Sequence, residues 1–388
     1  HSGALPLLFK RGFTGPVFAT PATIELCEIL LRDSGRLQEE DAEYANRRKT
    51  SKHRPALPLY TEDDAQRSLR LFRALPFEEE REIATGIRVR LQGAGHILGA
   101  ASVRLSANAT SVLFSGDLGR PDDPIMNAPA PIGKADYVVV ESTYGDRLHE
   151  AQDVEAVLGD TIRRTAARGG TVLIPAFAVG RAQSLLYAIY RLKQRRAIPD
   201  LPVFLNSPMA IDMTDIYHRH RAEHRLSDAE CAGMCKVATM VRSVEESRAL
   251  NAMTYPAVIV SASGMATGGR VLHHLKTLAP DRRNTVVFAG YQAAGTRGAR
   301  MVAGESSIRI HGQDIPVRAE VMSLEGISAH ADARQIVQWL ATAQRPPRRV
   351  YLTHGEPGPA DTLRQRIERE LGWDAYAPRL GQTIEVES

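Results

Sequence analysis

Short apolar, β-branched runs recur along this chain, and several of them stop on an acidic residue or a histidine that glycine follows closely. SVLFSGDLGR at 111–120, YVVVESTYG at 137–145 and RVYLTHGE at 349–356 share this layout, which predicts a strand running into a tight loop. One polar residue after a strand is ordinary loop chemistry. Three with the same layout point to a shared centre, because strands hold side chains rigidly while glycine turns let backbones approach. Between 81 and 141 the pattern predicts further strands, with antiparallel pairing through a turn at Ser106-Ala107-Asn108. Upstream it predicts a helix around SGALPLLFKRG, a strand GPVFAT, and a helix PATIELCEILLRD with Pro21 in its first turn. A polar, basic stretch from about Ser34 to Thr61 follows, then a helix from about Glu62 to Leu75.

After Arg147 helix and strand patterns alternate, the signature of a parallel α/β unit. VEAVLGDTIRRTAARGG ends on paired glycines, TVLIPAF reads as a buried strand, and RAQSLLYAIYRLKQRR carries Leu185, Leu186, Ile189 and Tyr190 on one face. LPVFLNSP, AVIVSASG and TVVFAGYQ repeat the strand-to-loop layout. The expected organisation is an α/β protein in which residues 1–145 begin one domain, 146–326 form an insert, and 327–388 return to the first domain.

Composition narrows this picture modestly. A chain of 388 residues exceeds what one core usually supports. Lys plus Arg number 49 against 45 Asp plus Glu, so net charge does not establish a nucleic-acid partner. Basic runs at 47–54, 191–196 and 345–349 suit phosphate backbones, although solvated helix ends are the commoner explanation. Three cysteines, Cys27, Cys231 and Cys235, argue against a disulfide framework and for a reducing, cytoplasmic setting. No apolar run long enough to span a bilayer is visible, so no membrane partner is expected.

Two glycine turns lead straight from strand to helix. PAFAVGRAQ at 175–183 offers Gly180 and Arg181, and SASGMATGGR at 261–270 offers Ser263, Gly264, Gly268 and Arg270, as anion-binding candidates. The second lacks the Lys-Ser/Thr ending of a nucleotide P-loop. In ISAHAD, Asp332 is placed to orient or protonate His330. His53, His149, His218, His220, His273 and His274 are assigned to surface or packing. His1, His96, Asp117, Glu141, His330 and His354 read as a scattered metal site.

GAGHILGA, SGDLGR, ESTYG, PAFAVGRAQ, SGMATGGR, ISAHAD and LTHGE, in this order, resemble the metallo-β-lactamase superfamily and within it the β-CASP ribonucleases. That family includes bacterial RNA-degrading enzymes and the endonuclease subunit that cleaves eukaryotic pre-mRNA. The likeness runs over essentially the whole chain, including EYANRRKTSKHRPALPLYTEDDA. It implies a metallo-β-lactamase αββα sandwich, its N-terminal strands missing, with an inserted β-CASP domain. It further implies that His96 and Asp117 bind one zinc, that Asp117 bridges to a second bound by His354, and that Glu141 orients His330, the general acid. The implied reaction is hydrolysis of RNA phosphodiester bonds by a hydroxide bridging the two zincs, in a cleft admitting single-stranded RNA. A homodimer is compatible with the resemblance.

One departure stands out. The family motif His-x-His-x-Asp-His precedes Ser-Gly-Ala-Leu-Pro, and only its last histidine is present, as His1. The expectation is that this polypeptide is truncated, binds zinc weakly and is nearly inactive, and that a longer parent chain is the nuclease. A small-molecule hydrolase of the same fold and a non-catalytic RNA-binding scaffold are the alternatives. Endo- against exonucleolytic action, direction, DNA tolerance and oligomeric state stay open.

Overall fold

The computed structural model describes residues 2–49, 51–149 and 152–387, so the candidate ligand His1 lies outside the described residues. The molecule is an α/β protein built around two large sheets. The first has seven strands, in the order Ala375–Tyr376, Arg349–Thr353, Tyr137–Glu141, Thr110–Phe114, Ala101–Ala107, Ile87–Gly93, Glu80–Ala84. Its first four strands are parallel, and an antiparallel meander completes it. The expected turn closes with Ala107 opposite Thr110, and Asn108 takes a positive φ of 53°. Helices Ala333–Leu340 and Pro357–Leu371 cover one face, where Ile336, Leu340, Leu363 and Ile367 pack on Leu113, Val138, Val140 and Leu352.

The second sheet is entirely parallel, in the order Thr239–Met240, Val203–Asn206, Val258–Ser261, Val172–Pro175, Thr285–Ala289, Glu320–Leu324. Its central strands are buried along their whole length, which explains their unbroken apolar runs: helices pack on both faces. One face carries helices Arg181–Gln194 and Pro208–Arg219 against Val172, Ile174, Val258 and Val260; the other carries Val271–Leu278 against Leu173, Ile259, Val286 and Phe288.

Two local expectations need correction. The helix expected to end near Asp33 runs over Pro21–Arg48. Pairing of Arg36 with Asp33 and Glu40 supports its polar half. Gly35 lets it approach Thr61 so closely that a Cβ would lie 2.6 Å from that residue's carbonyl oxygen. The helix expected over Glu62 to Leu75 stops at Ser68; after one 3-10 turn, Phe72–Ala74 becomes a strand parallel to Val17–Ala19. Tertiary pairing overrides local helical preference there.

The basic runs at 191–196 and 345–349 are largely neutralised on the surface. Arg191 and Arg195 pair with Glu155, Lys193 with Asp200, Arg345 with Asp136, and Arg349 with Asp374. Among the described residues no helix is long and apolar enough to cross a membrane.

Candidate metal centre

Three parallel strands of the first sheet stop along one edge, with Thr353 opposite Glu141 and Phe114 opposite Val139. The loops beyond them deliver Asp117, Glu141 and His354 to one place. Ile87–Gly93 runs in the same direction, and the loop after it brings His96. That loop is braced from outside: the hydroxyls of Thr20 and Thr23 donate to the Gly99 carbonyl at 2.9 Å, and the Gly99 N–H donates to Glu223 at 2.8 Å.

Gly119 ties the loops together. Its N–H donates to the Ala94 carbonyl at 2.8 Å, and it pairs antiparallel with His330. A Cβ there would lie 1.9 Å from the Gly95 carbonyl oxygen and 2.6 Å from the His96 nitrogen, so any side chain must displace the loop that carries His96. Gly119→Ala is therefore expected to cost about 1–3 kcal/mol of stability and to lower zinc retention by the protein that still folds. Urea unfolding and metal analysis of one sample check this; an unshifted midpoint with unchanged zinc would refute it.

Asp117 sits between two imidazoles, with Oδ1 3.3 Å from His354 Nδ1 and Oδ2 3.9 Å from His96 Nε2. Glu141 is 1% exposed; its carboxylate accepts the Leu118 N–H at 2.5 Å and lies 3.0 and 3.1 Å from His330 Nδ1. The His330 ring lies 4.3 Å from that of His96. One ligand atom each from His96, Asp117 and His330 falls within a 4.8 Å group, and likewise for Asp117, Glu141 and His354. Burial, with His330 nearby, pushes His96 down to about 4, leaving a neutral imidazole with a lone pair to donate. Burial also opposes charge on His330, but the hydrogen bond and charge of Glu141 outweigh it and raise its pKa above the ordinary histidine value.

Arg181 borders the same centre. It opens its helix behind Gly180, whose φ is +73°, and lines a small pocket together with His96. Its guanidinium makes no hydrogen bond or ion pair with any described residue, and Nη1 is sealed from solvent. Burial lowers its pKa to about 10. Asp123, within electrostatic reach, already accepts the N–H groups of Ile125 and Met126. Gly290, at φ +86°, presses on the guanidinium: a Cβ there would lie 3.0 Å from Nη1.

The other expected anion loop is partly self-satisfied. Ser263 Oγ accepts the N–H groups of Thr267 and Gly268 at 3.1 and 3.3 Å, and the Gly264 carbonyl accepts Gln292 Nε2 at 3.2 Å. Arg270 donates to Asn206 Oδ1 and to the carbonyls of Val241 and Arg242, so it braces the loop instead of facing an anion. Asp332 likewise departs from its expected role. It caps helix Ala333–Leu340 and accepts the His149 N–H at 2.9 Å; Glu141, not Asp332, holds His330.

Residues 182–301 match the model of the Beta-Casp domain, and residues 314–378 match the Zn-dependent metallo-hydrolase RNA specificity domain. The chain is 35% identical to Ribonuclease TTHA0252 of Thermus thermophilus, over 92% of this chain and 79% of that protein. The chain belongs to the metallo-β-lactamase/β-CASP ribonuclease family. It is also 32% identical to transcription termination factor FttA of Pyrococcus abyssi, over all of this chain and 60% of that protein, and 28% identical to an RNase J-like protein of Methanocaldococcus jannaschii, over 86% of that protein. It thus spans about three fifths of the length of the archaeal termination factor.

The donor set fits zinc: imidazole nitrogens on either side of a carboxylate, within the span of a coordination shell. Sequence reasoning missed two neighbours. His149, assigned to packing, places Nε2 2.8 Å from the His330 carbonyl oxygen, and Tyr144 stands edge-on to His330 with ring centroids 6.0 Å apart. Tyr144 was visible inside ESTYG, but no spacing signalled a ring contact. His149 carried no local signal.

Proposed function

We propose that this chain is a zinc-dependent ribonuclease acting on phosphodiester bonds of single-stranded RNA. In this reading residues 1–145 and 327–388 form the αββα metallo-β-lactamase domain, and 146–326 form the β-CASP insert. Arg181 carries the reading: a buried guanidinium without a partner among the described residues, beside a zinc-type donor set, is costly unless an anion completes it. A neutral ester would leave it bare, which favours a phosphodiester over a lactam or thioester.

His96, Asp117 and His354 would hold the zinc. Bound zinc supplies charge neutralisation at the phosphate and acidifies a water. His330, kept protonated and aimed by Glu141, gives its proton to the departing ribose oxygen. Arg181 and the N-terminal turn behind Gly180 hold the phosphate, and Ser263, Gly264 and Gly268 offer further backbone along the RNA path. The three cysteines, none in a disulfide, and the likeness to archaeal transcription termination factors support action in the cytoplasm.

A cleavage assay on unstructured RNA against a chromogenic ester, in excess zinc, tests the reading. RNA products that vanish with a chelator support it; ester turnover alone would overturn it. Asp117 belongs to both groups of candidate ligands, so Asp117→Ala is expected to retain almost no zinc after dialysis. Metal analysis giving two firmly held zincs would refute this.

A further inference from the structure

A cleft of about 630 Å³ opens beside His330, lined by Tyr144, His149, Gly290, Tyr291 and Gln292. That volume lies in the range of sites that take a nucleotide-sized ligand. Two features join it to the metal centre. Tyr144 stands edge-on to both His330 and His149, at 6.0 and 5.4 Å. Gly290 lies in the cleft wall and also against the Arg181 guanidinium, so one glycine turn separates the cleft from the phosphate position. At the cleft's rim Tyr291 is 60% exposed, although it directly follows the buried run Thr285–Ala289 and Gly290. Small and apolar side chains of helix Arg297–Val302 and its C-terminal cap supply another wall.

The geometry points to this cleft as the subsite for the nucleoside joined to the scissile phosphate, with Tyr291 as the stacking surface for its base; the Tyr144 ring already carries the Arg147 guanidinium 5.6 Å from its centroid. This rests on the phosphodiesterase reading and adds to it the part of the substrate that is recognised. Aromatic faces accept every base, because each base has a π face of its own. A base held there is withdrawn from any duplex partner. Selection for unpaired RNA then follows from the shape of the cleft, without base-specific hydrogen bonds.

The test scans an unstructured RNA oligonucleotide with one abasic position at a time, measuring binding by anisotropy and cleavage by KM and kcat in excess zinc. One position next to the cleaved bond is expected to raise Kd and KM roughly tenfold when abasic, the size of one base–aromatic stack, with kcat little changed. Tyr291→Ala should raise KM for intact RNA by a similar factor and erase the abasic penalty, whereas Tyr291→Phe should keep both. The exposure of Tyr291 makes misfolding of these variants unimportant, and their unfolding midpoints verify it. A flat scan, or a penalty that survives Tyr291→Ala, overturns the proposal. Abasic-sensitive binding without cleavage would keep the nucleoside subsite and remove the nuclease reading; cleavage with a flat scan would do the reverse.

Discussion

Arg181→Met is expected to make the protein more stable and a poorer binder of RNA. The guanidinium has no partner among the described residues, and burial has already lowered its pKa to about 10. Replacing such a buried charge by an apolar side chain of similar length stabilises by about 1–4 kcal/mol where the charge was uncompensated. The sign with pH follows from linkage. Below about 10 the arginine is charged in both folded and unfolded chains, so the penalty is complete and constant. The stability gain of Arg181→Met should therefore be flat across neutral pH. RNA affinity should fall at least thirtyfold, since losing one partner of a buried charge contact costs roughly 2–5 kcal/mol. Urea unfolding and RNA titration on the same preparation decide the matter. A destabilised variant with undiminished affinity would make Arg181 a packing residue.

The second large effect concerns the proton. His330→Ala should lower kcat by about 10²–10⁴ while leaving RNA affinity and zinc content nearly unchanged. Glu141 raises the pKa of His330 by hydrogen bonding and charge, so the acid form persists to higher pH than in an ordinary histidine. Activity that needs this form is complete below the raised pKa and lost as pH rises through it. Glu141→Gln removes the charge, and the alkaline fall in kcat should begin at lower pH. A pH profile whose alkaline limb does not move in Glu141→Gln would deny His330 the proton-donor role. A drop in zinc content as large as the drop in kcat would mark His330 as a ligand instead.

Much of the site was legible before folding because its polar residues follow strands. A strand end leaves a clear trace in sequence, as in SVLFSGD, YVVVES and RVYLTH, and parallel strands of one sheet bring their ends to one edge. Helix extents were less legible. Polar residues after Asp33 gave no apolar stripe, yet ion pairs and the close fit at Gly35 carried the helix to Arg48. The basic runs were ambiguous for a related reason: a run of arginines looks the same whether its partners are phosphates or distant carboxylates such as Glu155, Asp136 and Asp374.

By itself the sequence determined the α/β class, the strand-then-ligand layout, the glycine turns and the family resemblance, since all of these are periodicities and local motifs. Only the tertiary structure decided what each candidate touches. Arg181 and Arg270 open two helices behind similar glycine turns, yet one is left bare beside His96 while the other is fully engaged by Asn206, Val241 and Arg242. Asp332 was the carboxylate beside His330 in sequence and Glu141 the one implied by the family resemblance; packing gave His330 to Glu141 and Asp332 to the His149 backbone. Hydrogen-bond partners are set by contacts between segments far apart in the chain, and no local pattern encodes which of two equivalent groups will meet them.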